Sequence, residues 1–211
     1  QMTTVDEENI FNIAIEGNFD DCQKIVKTLF IDDEIQNRTS LTAINSINWA
    51  RLIAQVVYYF WSHLQINNKD INFIVPSGNF GNIFSAYVAK QMGLPINRLH
   101  VATNENDILK SIITRGQMTK KIVSQTYSPS MDIQISSNFE RQMFESFDRD
   151  SNQVKNAFNE FHKTGNYLFN SNIIDNFKKI YDASSINDDE TLVTISKVFE
   201  KYNYISDPHT A

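Results

Sequence analysis

The chain has 211 residues, with 41% hydrophobic and 21% charged side chains, a balance of folded soluble proteins rather than disordered or collagenous ones. Its formal net charge of −6 argues against a nucleic-acid footprint, which requires clustered Lys and Arg that this chain lacks. The lone cysteine, Cys22, can neither close an internal disulfide nor supply a multi-cysteine zinc site, which fits a reducing, cytosolic setting. No apolar run reaches the roughly 18 residues of a membrane span, and Gln1 to Glu8 is polar and acidic rather than a signal peptide. A chain that opens on Gln1 and stops at Ala211, directly after Asp207, Pro208, His209 and Thr210, reads as a piece of a longer protein.

Taken in order, Asn12 to Ile15 reads as a short strand, and Phe19 to Phe30 carries Cys22, Ile25, Val26, Leu29 and Phe30 at helical spacing. Asp20 and Asp21 sit where capping and the helix dipole favour carboxylates. Leu41 to Ile44 is a second short apolar run, followed by a helix from Ile47 to His63 with Ile47, Leu52, Ile53, Val56, Val57 and Phe60 on its apolar face. Ile71 to Val75 is a third strand, broken by Pro76 and Gly78. A helix then runs from Ile83 to Met92 and ends at Gly93, and Leu99 to Ala102 is a fourth strand.

Strands alternating with helices at this spacing predict an α/β fold: a mostly parallel sheet with helices on both faces. This core is expected over about 1–125. Thr114 to Asn138 reads as polar and irregular, and about 139–205 as helical covering: Phe139 to Asp148, Gln153 to Thr164, Ile173 to Tyr181 and Asp189 to Tyr202.

The sharpest motif is Ser77, Gly78, Asn79, Phe80, Gly81 and Asn82, between a strand and a helix. Two glycines with small polar neighbours let backbone N–H groups turn toward one point, and the helix adds its positive N-terminal dipole, so the loop is a candidate anion cup. Ser77, Asn79 and Asn82 add side-chain donors. No Lys follows Gly81 as a Walker motif requires, which disfavours a nucleoside triphosphate and favours a cofactor phosphate. The competing reading is a plain strand-to-helix turn capped by Asn82.

The chain as a whole resembles the threonine synthase family of fold-type II pyridoxal-phosphate enzymes. The resemblance is carried by Gln1–Thr4 (QMTT), Ile15–Cys22 (IEGNFDDC), Asn45–Arg51 (NSINWAR), Val75–Asn82 (VPSGNFGN), Ala89–Pro95 (AKQMGLP), Ala102–Asp107 (ATNEND), Ser128–Gln134 (SPSMDIQ), Ser136–Arg141 (SSNFER) and Asp207–Ala211 (DPHTA). It implies pyridoxal 5'-phosphate as cofactor, with Ser77 to Asn82 on its phosphate. Thr210 is then the hydroxyl facing the pyridine nitrogen, a neutral partner that leaves that nitrogen unprotonated.

Asn45, Ser46, Asn48 and Arg51 resemble a signature near the active-site cleft and are candidate substrate residues. The alternatives are that Ser46 caps the helix from Ile47 and that Arg51 makes a structural ion pair. In Ser136–Arg141 a packing role is expected for Glu140 and Arg141. Ser85 and Ala86 depart from the family's Ala-Gly.

The resemblance further implies conversion of O-phospho-L-homoserine and water to L-threonine and phosphate. The Schiff-base lysine, expected in a segment resembling HGPTLAFKD, is absent here and belongs before Gln1. Lys69, Lys90 and Lys163 sit in polar or helical-surface contexts that give no reason for a reactive amine, so turnover by this chain alone is not expected. A phospho-lyase of the same family and a non-catalytic scaffold of the same fold are the other readings.

Overall fold

The computed structural model describes residues 5–66 and 70–211; the QMTT stretch and Lys69 lie outside the described residues. The chain divides into two compact units, Gln1–Leu41 and Thr42–Ala211.

In the first unit, helix α1 spans Phe19–Phe30 and α2 spans Asp33–Arg38. Asn18 Oδ1 accepts the N–H groups of Asp20 (2.9 Å) and Asp21 (3.2 Å), while Asp21 Oδ2 accepts the N–H of Asn18 at 2.9 Å. This reciprocal box satisfies donors the first turn leaves open, so Asp21 does cap, with Asn18 as the N-cap itself. Cys22 is half-buried rather than core. The strand expected at Asn12–Ile15 does not form: Ile13 is 83% exposed and the run has no strand beside it. A short apolar run satisfies its backbone as a strand only where a second strand offers a ladder.

The second unit runs α3 (Trp49–Ile66), β1 (Ile71–Pro76), α4 (Gly81–Gln91), β2 (Ile96–Thr103), α5 (Ile108–Arg115), β3 (Gln117–Thr119), α6 (Phe139–Ser146), α7 (Ser151–Thr164), β4 (Asn166–Leu168), α8 (Ser171–Ile180), β5 (Tyr181–Ser185) and α9 (Asp188–Tyr202). β1, β2 and β5 form a three-stranded, wholly parallel sheet in that order, with Val75 opposite Val101 and Val101 opposite Ala183. β3 and β4 pair antiparallel in a separate two-stranded sheet. The fold is α/β with helices on both faces of the parallel sheet.

Three expectations are corrected here. Leu41–Ile44 is not a strand; Asn48 Nδ2 donates to Ala43 O (2.9 Å) and Arg51 donates to Ile44 O (2.8 Å), so side chains just before and within the first turn of the next helix take the carbonyls a neighbouring strand would have taken. The region after Phe139 is not helical throughout: it returns β4 and also β5, an edge strand of the main sheet. The apolar face expected on α3 splits, with Leu52, Val56 and Tyr59 buried while Ile53 and Val57 stand on the exposed side with Trp61.

Leu99 and Val101 of β2 are fully buried, and beside them Phe80, Phe139, Phe177 and Tyr181 form an aromatic core. Arg98 ties β2 to the far end of α8: its guanidinium pairs with Asp182 and donates to Lys178 O at 2.6 Å. Cations at a helix C-terminus answer its open carbonyls and dipole. Among the described residues, no helix is long and apolar enough to cross a membrane.

Candidate functional site

The loop between β1 and α4 starts by extending the sheet, because the Ser77 N–H donates to Ala102 O at 2.9 Å. The Ser77 side chain is 4% exposed, and its Oγ is buried with no hydrogen-bond partner among the described residues. A buried hydroxyl without a partner carries a desolvation penalty of about 1–3 kcal/mol, so its presence asks for a group that the described residues do not supply.

The left-handed backbone of this loop is not supplied by its glycines. Neither Gly78 nor Gly81 has a positive φ; the left-handed residue is Phe80, with φ 65° and ψ 1°, at the N-cap of α4. A non-glycine residue there carries roughly 1–2 kcal/mol of strain. Burial of the Phe80 ring holds it, with Phe139 at 5.2 Å and Tyr181 at 5.6 Å between ring centroids, both edge-to-face. The glycines instead permit close approach. A methyl group on Gly78 would lie 2.9 Å from Ile133 Cδ1 and 3.0 Å from Met131 Cα; one on Gly81 would lie 3.0 Å from Ser46 Cβ and 3.1 Å from Asn79 Oδ1.

Three separated stretches meet at Ser46. Its Oγ accepts Asn79 Nδ2 (3.1 Å) and Asn138 Nδ2 (3.0 Å). Asn79 is also bound to Asn138 through the backbone, whose N–H donates to Asn79 O at 2.9 Å, and Asn79 Oδ1 accepts the Gly81 N–H at 2.8 Å. Asn79 is therefore the loop's internal strut, with both ends of its amide engaged, while its Nδ2 carries a second N–H besides the one given to Ser46. Arg141 fixes the far side: it donates to Asn138 Oδ1 (3.0 Å) and Ile47 O (3.0 Å) and lies 5.4 Å above the Trp49 ring. The packing role expected for Arg141 thus has a definite target.

Asn82, within the first turn of α4, is not the cap. Its Oδ1 accepts the Tyr59 hydroxyl at 2.6 Å, which leaves the amide N–H groups to give. Burial pushes the Tyr59 phenol far above its ordinary range, so it stays protonated and stays a donor. Ser85 Oγ is fully buried, 3.0 Å from Leu52 O and 3.1 Å from Gly81 O, so this departure from the family pattern ties α4 to α3. Ser46 does not cap α3 either; Asn48 Oδ1 accepts the Ala50 N–H at 3.0 Å, and Asn45 Oδ1 accepts the Ile47 N–H at 2.9 Å. Arg51 is exposed and binds the Ile44 carbonyl rather than a carboxylate.

A second gathering lies beyond the other end of the loop. Asp132 Oδ1 accepts Asn104 Nδ2 (2.8 Å), Asn106 Nδ2 (3.0 Å) and the Thr126 hydroxyl (2.7 Å), which pins the segment whose Met131 and Ile133 lie against Gly78. The same segment receives the chain's last residues. The Ser130 N–H donates to His209 Nε2 at 3.2 Å, and His209 Nδ1 lies 3.1 Å from Asp207 Oδ1. Thr210 is exposed and its hydroxyl donates to Asp207 Oδ2 at 2.7 Å. That bond, with the His209 N–H, holds the Asp207 carboxyl below the usual carboxylate range.

No protein-family model matches the chain. Threonine synthase of Pseudomonas aeruginosa is 44% identical over 213 residues, an alignment that takes in 100% of this chain and 45% of that protein. The chain is a homologue of the threonine synthases. The structure of pyridoxal-phosphate-bound threonine synthase from Brucella melitensis superposes with a TM-score of 0.85 at 46% identity, over 95% of this chain and 44% of that one. Yeast threonine synthase superposes with a TM-score of 0.84 at 42% identity, over 99% and 44%. The chain therefore spans a little under half the length of the threonine synthases it matches.

Six of the stretches that resemble threonine synthase are the ones the fold gathers into these two clusters. Asn45–Arg51, Val75–Asn82 and Ser136–Arg141 meet at Ser46, while Ala102–Asp107, Ser128–Gln134 and Asp207–Ala211 join around Asp132 and His209. Tyr59, which orients Asn82, was not expected from sequence. It lies 23 residues upstream of its partner, on a helix whose expected apolar face took in Val57 and Phe60 and passed over Tyr59.

Proposed function

We infer that the parent of this chain is a pyridoxal-phosphate-dependent threonine synthase, which converts O-phospho-L-homoserine and water to L-threonine and phosphate. The observation that carries this reading is the buried Ser77 hydroxyl, without a partner among the described residues, in a strand–loop–helix turn, in a chain whose Brucella relative is described with pyridoxal phosphate bound. A phosphate oxygen is a fitting acceptor for that hydroxyl, and the positive end of α4 favours an anion there.

In this reading Ser77, Gly78, Asn79, Phe80, Gly81 and Asn82 form the phosphate loop. Ser77 and Asn82 give side-chain hydrogen bonds, Gly78 and Gly81 allow the tight packing, and Asn79 and Phe80 hold the backbone in shape. Thr210 would present its hydroxyl to the ring nitrogen by turning its one proton from Asp207 Oδ2, and Asn45, Asn48 and Arg51 line the substrate side while Ser46 serves the loop. Pyridoxal phosphate, when bound, supplies an electron sink that stabilises negative charge on substrate carbon. The lysine that attaches it, and the proton transfers at the reacting carbons, belong to the part of the parent outside this chain. Turnover by the chain alone is not expected, and the parent is read as a cytosolic protein.

The test is to supply the full-length parent with pyridoxal phosphate and O-phospho-L-homoserine and follow both products. Equal release of threonine and phosphate is the expected result. Phosphate with ammonia and a 2-oxo acid would make it a phospho-lyase, and no turnover together with no cofactor absorbance would leave a non-catalytic scaffold.

A further inference from the structure

The geometry points to Ser46 as a positioning residue for the loop Ser77–Asn82, acting through Asn79 rather than by touching substrate; this rests on the reading of that loop as the phosphate site. A serine oxygen has two lone pairs and one proton. Here both lone pairs face amide donors, Asn79 Nδ2 at 3.1 Å and Asn138 Nδ2 at 3.0 Å. The other end of the Asn79 amide accepts the Gly81 N–H at 2.8 Å, and the Asn79 carbonyl accepts the Asn138 N–H at 2.9 Å. Asn138 is 2% exposed, so an amide group released there finds no water in exchange. The chain of contacts thus runs from Arg141 through Asn138 to Ser46, and from Ser46 through Asn79 to the first N–H of α4.

That N–H adjoins Phe80, the strained left-handed residue at the turn into the helix. Side chains that lock such a turn keep the loop's donors aimed before an anion arrives, and preorganised donors lose less on binding. Ser46 is also seated by the absence of a side chain at Gly81, since a methyl group there would stand 3.0 Å from Ser46 Cβ. The serine is thus matched in size to its place as well as in chemistry.

Size and chemistry are separable by two substitutions in the full-length parent. Ser46→Ala removes the acceptor; Ser46→Cys keeps a side chain of similar shape but offers a weak acceptor in sulfur. Pyridoxal phosphate is titrated by its absorbance, and the phosphorus resonance of the bound cofactor is recorded. Losing one well-placed anchor is expected to weaken binding about tenfold in both variants, with a displaced phosphorus resonance. A Cys variant that binds as tightly as the parent, with the resonance unmoved, would overturn the assignment, as would an Ala variant whose only change is a lower Tm. Ser77→Ala and Gly78→Ala are measured beside them. If those also leave the affinity and the phosphorus resonance unchanged, it is the phosphate-loop reading itself that has failed.

Discussion

Phe80→Ala is expected to lower the stability of the folded chain by about 3–5 kcal/mol, the range for emptying a fully buried aromatic site. Phe80 has no exposed surface and its ring meets Phe139 and Tyr181 edge-to-face, at 5.2 and 5.6 Å. It is also the residue at φ 65° on which the turn into α4 depends. The same ring therefore holds core and loop together. Two variants distinguish its packing from its backbone strain. Phe80→Gly loses the same ring but adopts the left-handed region freely, so urea denaturation is expected to find it about 1 kcal/mol less destabilised than Phe80→Ala. Since whole domains are stable by only about 5–15 kcal/mol, either loss takes up a large part of the total. Equal midpoints for the parent and Phe80→Ala would show that the aromatic core is not what holds the turn.

Gly78→Ala acts on binding more than on the core. The added methyl group falls 2.9 Å from the flexible end of Ile133 but also 3.0 Å from Met131 Cα. Ile133 can rotate away, whereas Met131 Cα is backbone, held by the neighbouring Asp132 carboxylate and its three donors Asn104, Asn106 and Thr126. The loop is then the part that must move. Overpacking of this kind costs about 1–3 kcal/mol, which, if taken from binding, is on the order of 5- to 150-fold in affinity. Pyridoxal phosphate titration of the full-length variant is expected to show a loss of that size with the fold intact by circular dichroism. Wild-type affinity would mean that the segment around Met131 yields instead.

The strand–loop–helix unit was readable because its signals are local. Ile71 to Val75 is an apolar run closed by Pro76, α4 follows at helical spacing, and Gly93, at φ 99°, lies just past its end. α1 was readable to the residue for the same reason. α5 was missed although Ile108, Leu109, Ile112 and Ile113 carry a buried helical stripe; the irregular stretch assigned from Thr114 overlapped its last turn. β5 had no such signal. Its residues YDASS are short and polar with only Tyr181 buried, and their strand conformation comes from the ladder β2 offers. Asn12–Ile15 is the converse case, apolar enough to suggest a strand and without a ladder to join.

The loop itself shows the same division. Its place between strand and helix could be read from Pro76, Gly78 and Gly81. The reason for the glycines could not, because the atoms they make room for belong to Ser46, Met131 and Ile133, far away in sequence. Periodicity likewise gave no hint that Asn79 is a strut or that Phe80 takes the left-handed conformation. Both depend on Asn138 and Phe139, which reach the loop only once α6 has packed.

The most direct test of the central claim is Ser77→Ala in the full-length parent, measured with and without cofactor. The Ser77 hydroxyl has no partner within the described residues, so its removal is expected to leave the Tm of the cofactor-free protein unchanged or raise it. Affinity for pyridoxal phosphate is expected to fall about tenfold, the worth of one hydrogen bond to a charged group. A lower cofactor-free Tm with unchanged affinity would contradict the account, since it would mean that the hydroxyl serves the fold and that the phosphate binds elsewhere.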